Sequence, residues 1–216
     1  GEPVQTGVYD PEDKEKGLSL YYFDATKQNG LPMNFGVSVH GGHVVYMIDG
    51  RAVTEKKLSH EELIAKAEGM LAKWGFDQVA LVSRAENDGT LVMDFAPVTG
   101  GVAIHTEMIR VMLAMDNGEL VGYDARAYWV NHVERDLPAP RIGPAEAAAR
   151  TSPRLTVTGE PRLALIADRR GQERLVWEVP GRVEDQHFRV FVDAMDGTEV
   201  DLIRPVGDPA PPMQEG

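Results

Sequence analysis

The clearest pattern of apolar and polar positions along the chain is an amphipathic helix in the stretch LSHEELIAKAEGMLAKWG. Ser59 and Glu62 have the spacing of a capping box, and Leu58 and Leu63 have the spacing of the hydrophobic staple that accompanies it. Apolar side chains then recur at helical spacing, at Leu63, Ile64, Ala67, Met70, Leu71 and Trp74. This stripe predicts a helix that covers a sheet and ends at a C-cap, Gly75.

Strand patterns follow this helix directly. Strands are predicted near residues 78–85 and 90–97 around an Asn-Asp-Gly turn, and a hairpin near 109–126 overlaps the stretch MLAMDNGELVGYDARAY, residues 112–128. In the stretch IRVMLAM, alternate residues share one face, namely Ile109, Val111, Leu113 and Met115. We expect this face to lie under the helix.

The hairpin pattern occurs three times. The stretches VSVHGGHVVYMIDGRAV and FVDAMDGTEVDLIRPV repeat the pattern of the hairpin near 109–126. The turn glycines of the three hairpins, Gly42, Gly118 and Gly197, lie about 76 and 79 positions apart. In the third copy, Pro144 and Glu146 begin a short alanine-rich helix. The strands predicted after it lie near 155–167, 173–180, 187–194 and 198–203.

The first copy has predicted strands but no helix before them. These strands lie near 2–9, 18–24, 33–39 and 43–48. We therefore expect the sequence to begin inside a longer chain, after a helix that covers this first sheet. The matched dipeptides Arg51-Ala52 and Arg126-Ala127 join one copy to the next.

The predicted fold class is α+β, with three tandem small domains that each pack a helix on an antiparallel four-stranded sheet. The predicted boundaries are 1–57 for a first domain without its helix, 58–136 for the second and 137–206 for the third. The proline-rich end, 207–216, is predicted to be a disordered tail.

Composition excludes several classes of function. The chain is 43% hydrophobic and 26% charged, which is typical of a globular protein, and its formal net charge of -12 repels nucleic acids and anionic lipids. There is no cysteine, so disulfides and thiol catalysis are excluded. No apolar run approaches the roughly 20 residues that span a bilayer, although a signal or membrane anchor could precede Gly1.

No catalytic, metal or cofactor site is predicted. His40 and His43 flank a two-glycine turn, but the usual reading of such a pair is an exposed turn rather than a metal site. The stretch HEELI has Ile64 where a zinc-protease helix needs histidine. There is no Gly-x-Ser-x-Gly motif, and no carboxylate pair is marked as that of a glycosidase.

The stretch RAYWVNHVERDLP is the best candidate for an interaction surface. Its candidate residues are Arg126, Tyr128, Trp129 and His132, because aromatic and arginine side chains often anchor interfaces. The alternative is that these residues wedge between the second and third domains and set their angle. Trp74 and Trp177 are predicted to be core residues.

These stretches, together with PRLALIADRRGQERLVWEVPGRV, resemble the tandem PepSY-domain region of the YpeB family of spore germination proteins. The resemblance covers nearly the whole chain and rests on the order and spacing of three weakly specific hairpins. It implies a non-enzymatic protein of endospore-forming bacteria, anchored by an N-terminal membrane segment and located on the outer side of the spore's inner membrane.

The resemblance also implies a partner, a spore cortex-lytic enzyme of the SleB type that these domains stabilise, localise or restrain. It supplies no functional residues to transfer. Direct binding of cortex peptidoglycan and a weak hydrolase activity are the alternatives, and a homodimer through sheet edges stays open.

Overall fold

The computed structural model of the protein describes residues 8–9, 18–27 and 30–205. Its strands are β1 (Val8–Tyr9), β2 (Leu20–Thr26), β3 (Pro32–Ser38), β4 (Val44–Asp49), β5 (Val79–Asn87), β6 (Thr90–Thr99), β7 (Val102–Ile104), β8 (Ile109–Ala114), β9 (Leu120–Asp124), β10 (Thr156–Val157), β11 (Arg162–Ala167), β12 (Glu173–Val183), β13 (Gln186–Asp193) and β14 (Glu199–Ile203). The helices are α1 (His60–Lys73), α2 (Arg126–Asn131) and α3 (Pro144–Arg150), and a short 3-10 turn spans His105–Glu107. Helices and antiparallel strands are both present, with strands predominating, which confirms the predicted α+β class.

The described residues divide into two compact units. Unit 1 comprises the chain up to Asp77 with Ala85–Phe95 and Glu107–His132, and unit 2 comprises Gln78–Arg84, Ala96–Thr106 and the chain from Val133 onward. The division into three tandem domains stays a prediction. The predicted tail 207–216 and most of the predicted strand near 2–9 lie outside the described residues.

Unit 1 is built on one antiparallel sheet in the order β1-β2-β3-β4-β9-β8-β6. Strand β4 pairs with β9, which places Met47 opposite Tyr123. The register continues across β8, where Val111 lies opposite Tyr123. Because of this pairing, strands from the first and second sequence copies share a single sheet.

Helix α1 begins with the predicted capping box. The Ser59 hydroxyl accepts a hydrogen bond from the Glu62 amide at 3.2 Å, and the Glu62 carboxylate accepts one from the Ser59 amide at 2.8 Å. These bonds satisfy two of the amide donors that a helix N-terminus leaves free, so the helix start is fixed locally.

Helix α1 ends in a Schellman motif. The amide of Phe76 donates to the Leu71 carbonyl at 2.9 Å, and the amide of Gly75 donates to the Ala72 carbonyl at 3.1 Å. Gly75 adopts a φ of 92° and directly follows the C-cap, Trp74, so the predicted helix end is confirmed but the C-cap lies one residue earlier than predicted.

Helix α1 packs on β8 through the predicted stripe. The fully buried residues of this contact are Leu63, Ala67 and Leu71 on the helix and Ile109, Val111 and Leu113 on the strand. The prediction that Trp74 belongs to the core was wrong, because it is 43% exposed. It is the C-cap residue, past the last buried turn of the helix.

The three hairpins close in the same way. The amides of Ser38, Ala114 and Asp193 donate to the carbonyls of the residues five positions on, at 2.8, 2.9 and 2.8 Å. A register shift precedes each closure. The three predicted turn glycines, Gly42, Gly118 and Gly197, all have positive φ.

Unit 2 contains the antiparallel sheet β11-β12-β13-β14, with β7 parallel to β11. Trp177 is buried as predicted, and its indole donates to the Ile142 carbonyl at 3.0 Å.

In both units, the segment that precedes the helix is hydrogen-bonded to a hairpin in the same way. Consecutive amides donate to one hairpin carbonyl, Lys57 and Leu58 to Met115 in unit 1, and Arg141 and Ile142 to Ala194 in unit 2.

Strand β7, the 3-10 turn and helix α2 were not predicted, and α2 occupies part of the stretch interpreted as a connection. The strand predicted near 155–167 is divided into β10 and β11. Among the described residues, no helix is long and apolar enough to cross a membrane.

Candidate functional site

A groove of about 560 Å³ lies in unit 1 and is lined by two of the four predicted interaction residues, Tyr128 and Trp129. We call it the aromatic groove. It is lined by Gly42, His43, Val44, Met47, Trp74, Gly75, Phe76, Leu120, Tyr123, Tyr128 and Trp129. None of these residues is Asp, Glu, Lys or Arg, so the groove is apolar in a chain whose net charge is -12.

The sheet and the end of α1 form one part of the groove. Met47 and Tyr123 are neighbours across the β4–β9 pairing. Trp74 meets the Tyr123 ring edge-on, with the ring centroids 5.0 Å apart. Tyr123 is buried, and this burial, helped by Asp124, raises the pKa of its phenol. Its hydroxyl therefore stays protonated and able to donate a hydrogen bond.

Helix α2 supplies Tyr128 and Trp129. The helix has only six residues and no side-chain cap at its start, so it depends on tertiary contacts for its stability. Tyr128 meets Phe76 edge-on at 4.9 Å, and Trp129 stacks on the His43 ring at 4.2 Å. These contacts bind α2 to the end of α1 and to the first hairpin.

Arg126 and His132, the other two predicted interaction residues, do not line the groove. Arg126 is exposed, forms an ion pair with Asp124, and lies 5.5 Å from the Tyr46 ring centroid. His132 stacks on Tyr128 at 4.4 Å, and its Nδ1 lies 2.8 Å from the Glu107 carboxylate.

Most of the groove residues were missed by the sequence analysis. His43 was interpreted as an exposed turn residue rather than a metal ligand, and it is exposed but also stacks on Trp129, whereas Trp74 was interpreted as a core residue and is exposed. Met47 and Tyr123 carried no signal, because strand pairing between distant segments places them side by side. Among the described residues, no group of three or more histidines and carboxylates is arranged to hold a metal ion.

Unit 2 contains a buried charge cluster. The Glu178 carboxylate lies 3.0 Å from a guanidinium nitrogen of Arg162 and 3.2 Å from one of Arg189, and its side chain is 3% exposed. The two arginines also donate to the backbone carbonyls of Leu81 and Val82. The cluster therefore joins β11, β12 and β13 to β5.

His105 completes this cluster. Its Nε2 lies 3.4 Å from the Glu178 carboxylate and has no hydrogen-bond partner within the described part of the chain. Burial lowers the pKa of His105 to about 4, Glu178 opposes that shift, and Arg162 and Arg189 add to it. Burial by itself would raise the pKa of Glu178, but Arg162, His105 and Arg189 bring it below its usual value.

Comparisons with known proteins extend these observations. Residues 1–138 match the family model described as YpeB sporulation, PepSY1 and PepSY2 domains. The chain is 35% identical over 192 residues to the sporulation protein YpeB of Bacillus subtilis (strain 168), covering 88% of this chain and 39% of the relative. It is 33% identical over 192 residues to the YpeB of Halalkalibacterium halodurans, covering 89% of this chain and 39% of the relative.

A solved structure shares the fold. The Bacillus megaterium YpeB C-terminal domain superposes with a TM-score of 0.83 at 22% identity, covering 93% of this chain and 88% of that one. The chain spans about two fifths of the length of the curated relatives it matches. The matched model covers well over half of the chain, and the chain therefore belongs to the YpeB family of sporulation proteins and carries their PepSY domains.

Proposed function

We propose that this chain is a non-catalytic regulatory and protein-binding module that takes part in spore germination. In this proposal it stabilises, localises or restrains a spore cortex-lytic enzyme of the SleB type during dormancy. It does so outside the inner membrane, facing the cortex, and is anchored by a segment that lies before this sequence. Family membership supports the connection with sporulation.

The aromatic groove is the observation that carries the binding role. Protein interfaces concentrate aromatic residues and exclude charge at their centres, and the groove combines an exposed Trp74 with no charged residue among the described residues that line it. We assign it to an apolar segment of the cortex-lytic enzyme. The three-repeat organisation belongs to the same proposal, and the identical closure of the three hairpins supports it.

Calorimetry tests this function directly. The chain is titrated with the cortex-lytic enzyme of the same organism, and digestion of purified cortex is followed in the same mixtures. We expect saturable binding, and slower digestion if the chain restrains the enzyme. If the chain does not bind the enzyme, the proposed function is wrong.

Substitution of Trp74 tests the groove itself. Trp74→Ala removes a large exposed side chain and should weaken enzyme binding at least about tenfold, as truncation of an aromatic anchor does. Tyr21→Ala is the matched control, because Tyr21 is 42% exposed against 43% for Trp74 and does not line the groove. Equal affinities of the two variants would place the binding surface elsewhere.

Direct binding of cortex peptidoglycan is the second candidate. The aromatic rings of Trp74 and Trp129 in the groove favour it, because flat aromatic faces also stack on sugar rings. Sedimentation of the chain with purified cortex in the absence of enzyme separates the two. Retention that is lost in Trp74→Ala would favour the glycan as the occupant of the groove.

A further inference from the structure

His132 and Glu107 form a pair whose geometry has a specific chemical consequence. His132 is the C-cap residue of α2, and its Nδ1 lies 2.8 Å from the Glu107 Oε2. The Glu107 side chain is 2% exposed, whereas the His132 side chain is 52% exposed. One end of the imidazole therefore faces a buried carboxylate and the rest of the ring reaches solvent.

The carboxylate determines which nitrogen carries the hydrogen. An ionised Glu107 carboxylate can only accept a hydrogen bond, so the Nδ1 of a neutral His132 ring donates to it, and Nε2 of that neutral ring then carries the lone pair. Stacking on Tyr128, with the rings at 22° and their centroids 4.4 Å apart, also holds the ring plane. Carboxylates orient the imidazoles of catalytic triads and metal ligands in the same way.

The His132–Glu107 pair fits a role in binding a partner rather than in catalysis. Among the described residues, Glu107 is the hydrogen-bond partner of the His132 ring, and no hydroxyl is bonded to Nε2 for it to activate. Tyr128, on which His132 stacks, lines the aromatic groove. Apolar binding sites commonly contain a few fixed polar groups that orient what they bind.

We propose that His132 presents Nε2 as an oriented hydrogen-bond acceptor to a hydroxyl or N–H group on the segment of the cortex-lytic enzyme that occupies the aromatic groove. This inference rests on the proposed function and names the polar contact that accompanies the apolar ones. Glu107 is the positioning residue, since it acts on the partner only through His132.

Ring-nitrogen NMR tests the orientation without any partner. In ¹⁵N-histidine-labelled chain at pH about 8, the His132 signals should show hydrogen on Nδ1 and none on Nε2. Glu107→Gln should shift the ring towards a mixture of both forms, because the neutral amide can donate as well as accept. Hydrogen on Nε2 in the unsubstituted chain would overturn the proposal.

Two substitutions test recognition. His132→Asn keeps an amide near the Nδ1 position to donate to Glu107 but removes Nε2, and His132→Phe keeps the stack on Tyr128 but removes both nitrogens. Each should weaken binding of the cortex-lytic enzyme about fivefold to tenfold, the usual effect of losing one neutral hydrogen bond. The control is His187→Asn at an exposed histidine of unit 2, which should bind like the unsubstituted chain. Thermal melting identifies any variant that fails to fold.

The outcomes separate this inference from the proposed function. If the unsubstituted chain binds the enzyme and His132→Asn binds equally well, the acceptor role is wrong and the proposed function stands. If only His132→Asn is weakened and His132→Phe is not, the ring stack matters rather than Nε2, and the inference is again overturned. If the unsubstituted chain does not bind, both the proposed function and this role fall.

Discussion

At the scale of single residues, a buried charge cluster in unit 2 pairs the Glu178 carboxylate with both Arg162 and Arg189. Burying three charges costs solvation, which close pairing and the bonds to backbone carbonyls offset. His105 adds a fourth ionisable group that folding keeps neutral, because burial disfavours its charged form and its protonation would also place another positive charge beside two guanidinium groups. The local consequence is a dependence of stability on pH.

We predict that unit 2 loses stability as the pH falls below about 6.5. The pKa of His105 is lowered from its ordinary value of 6.5 to about 4 in the folded state. Between these two pH values, the unfolded chain therefore binds more protons than the folded chain. The free energy of unfolding should fall by about 2 kcal/mol between pH about 7.5 and 5. Hydrogen exchange of the β12 amides in unit 2 measures this change.

His105→Gln removes the titrating group and should flatten this profile, whereas His187→Gln at an exposed position should leave it unchanged. A slope that persists in His105→Gln would assign the acid sensitivity to other groups.

At the scale of secondary-structure elements, the hairpins depend on glycines with positive φ, but their surroundings differ. A Cβ at Gly118 would lie 3.1 Å from the Leu58 Cδ1 and 2.8 Å from the Lys66 Nζ, whereas a Cβ at Gly42 would have no atom of the described residues within 4 Å. The φ values are similar, 70° and 66°. Substitutions at these two glycines therefore distinguish the cost of backbone strain from the cost of crowding within one unit.

We predict that Gly42→Ala costs about 1 kcal/mol through backbone strain alone, and that Gly118→Ala costs about 2 kcal/mol because Leu58 must also move. Urea unfolding followed by tryptophan fluorescence compares the two variants. Equal costs would mean that Leu58 moves away from the added methyl group without any loss of stability.

At the scale of the whole molecule, a strongly acidic chain has an uncharged groove. The net charge of -12 acts over the surface and is screened by salt, whereas burial of apolar surface does not depend on charge. A partner that binds in the groove should therefore be held mainly by contacts that salt does not weaken.

We predict that the dissociation constant for the cortex-lytic enzyme changes less than about threefold between about 0.05 and 0.5 M NaCl. Calorimetry across this range measures it, with Trp74→Ala as the variant that should lose affinity at every salt concentration. A weakening of tenfold or more with salt would instead indicate a charged surface, such as that around Arg126.

The sequence by itself determined the features that neighbouring residues specify. The capping box at Ser59, the turn glycines and the alternating face of β8 follow from contacts within a few positions, so their patterns are readable directly. The same locality explains the confirmed helix and the hairpins.

Only the tertiary structure decided how distant segments meet. The β4–β9 pairing joins residues more than 70 positions apart, and it brings Met47 beside Tyr123. Trp74 fits the helical stripe in sequence but lies past the buried part of α1, so its exposure depends on where the sheet ends. Helix α2 has no side-chain cap and forms through its contacts with Phe76 and His43. The aromatic groove exists because strand pairing and helix packing act over these distances, which no local pattern records.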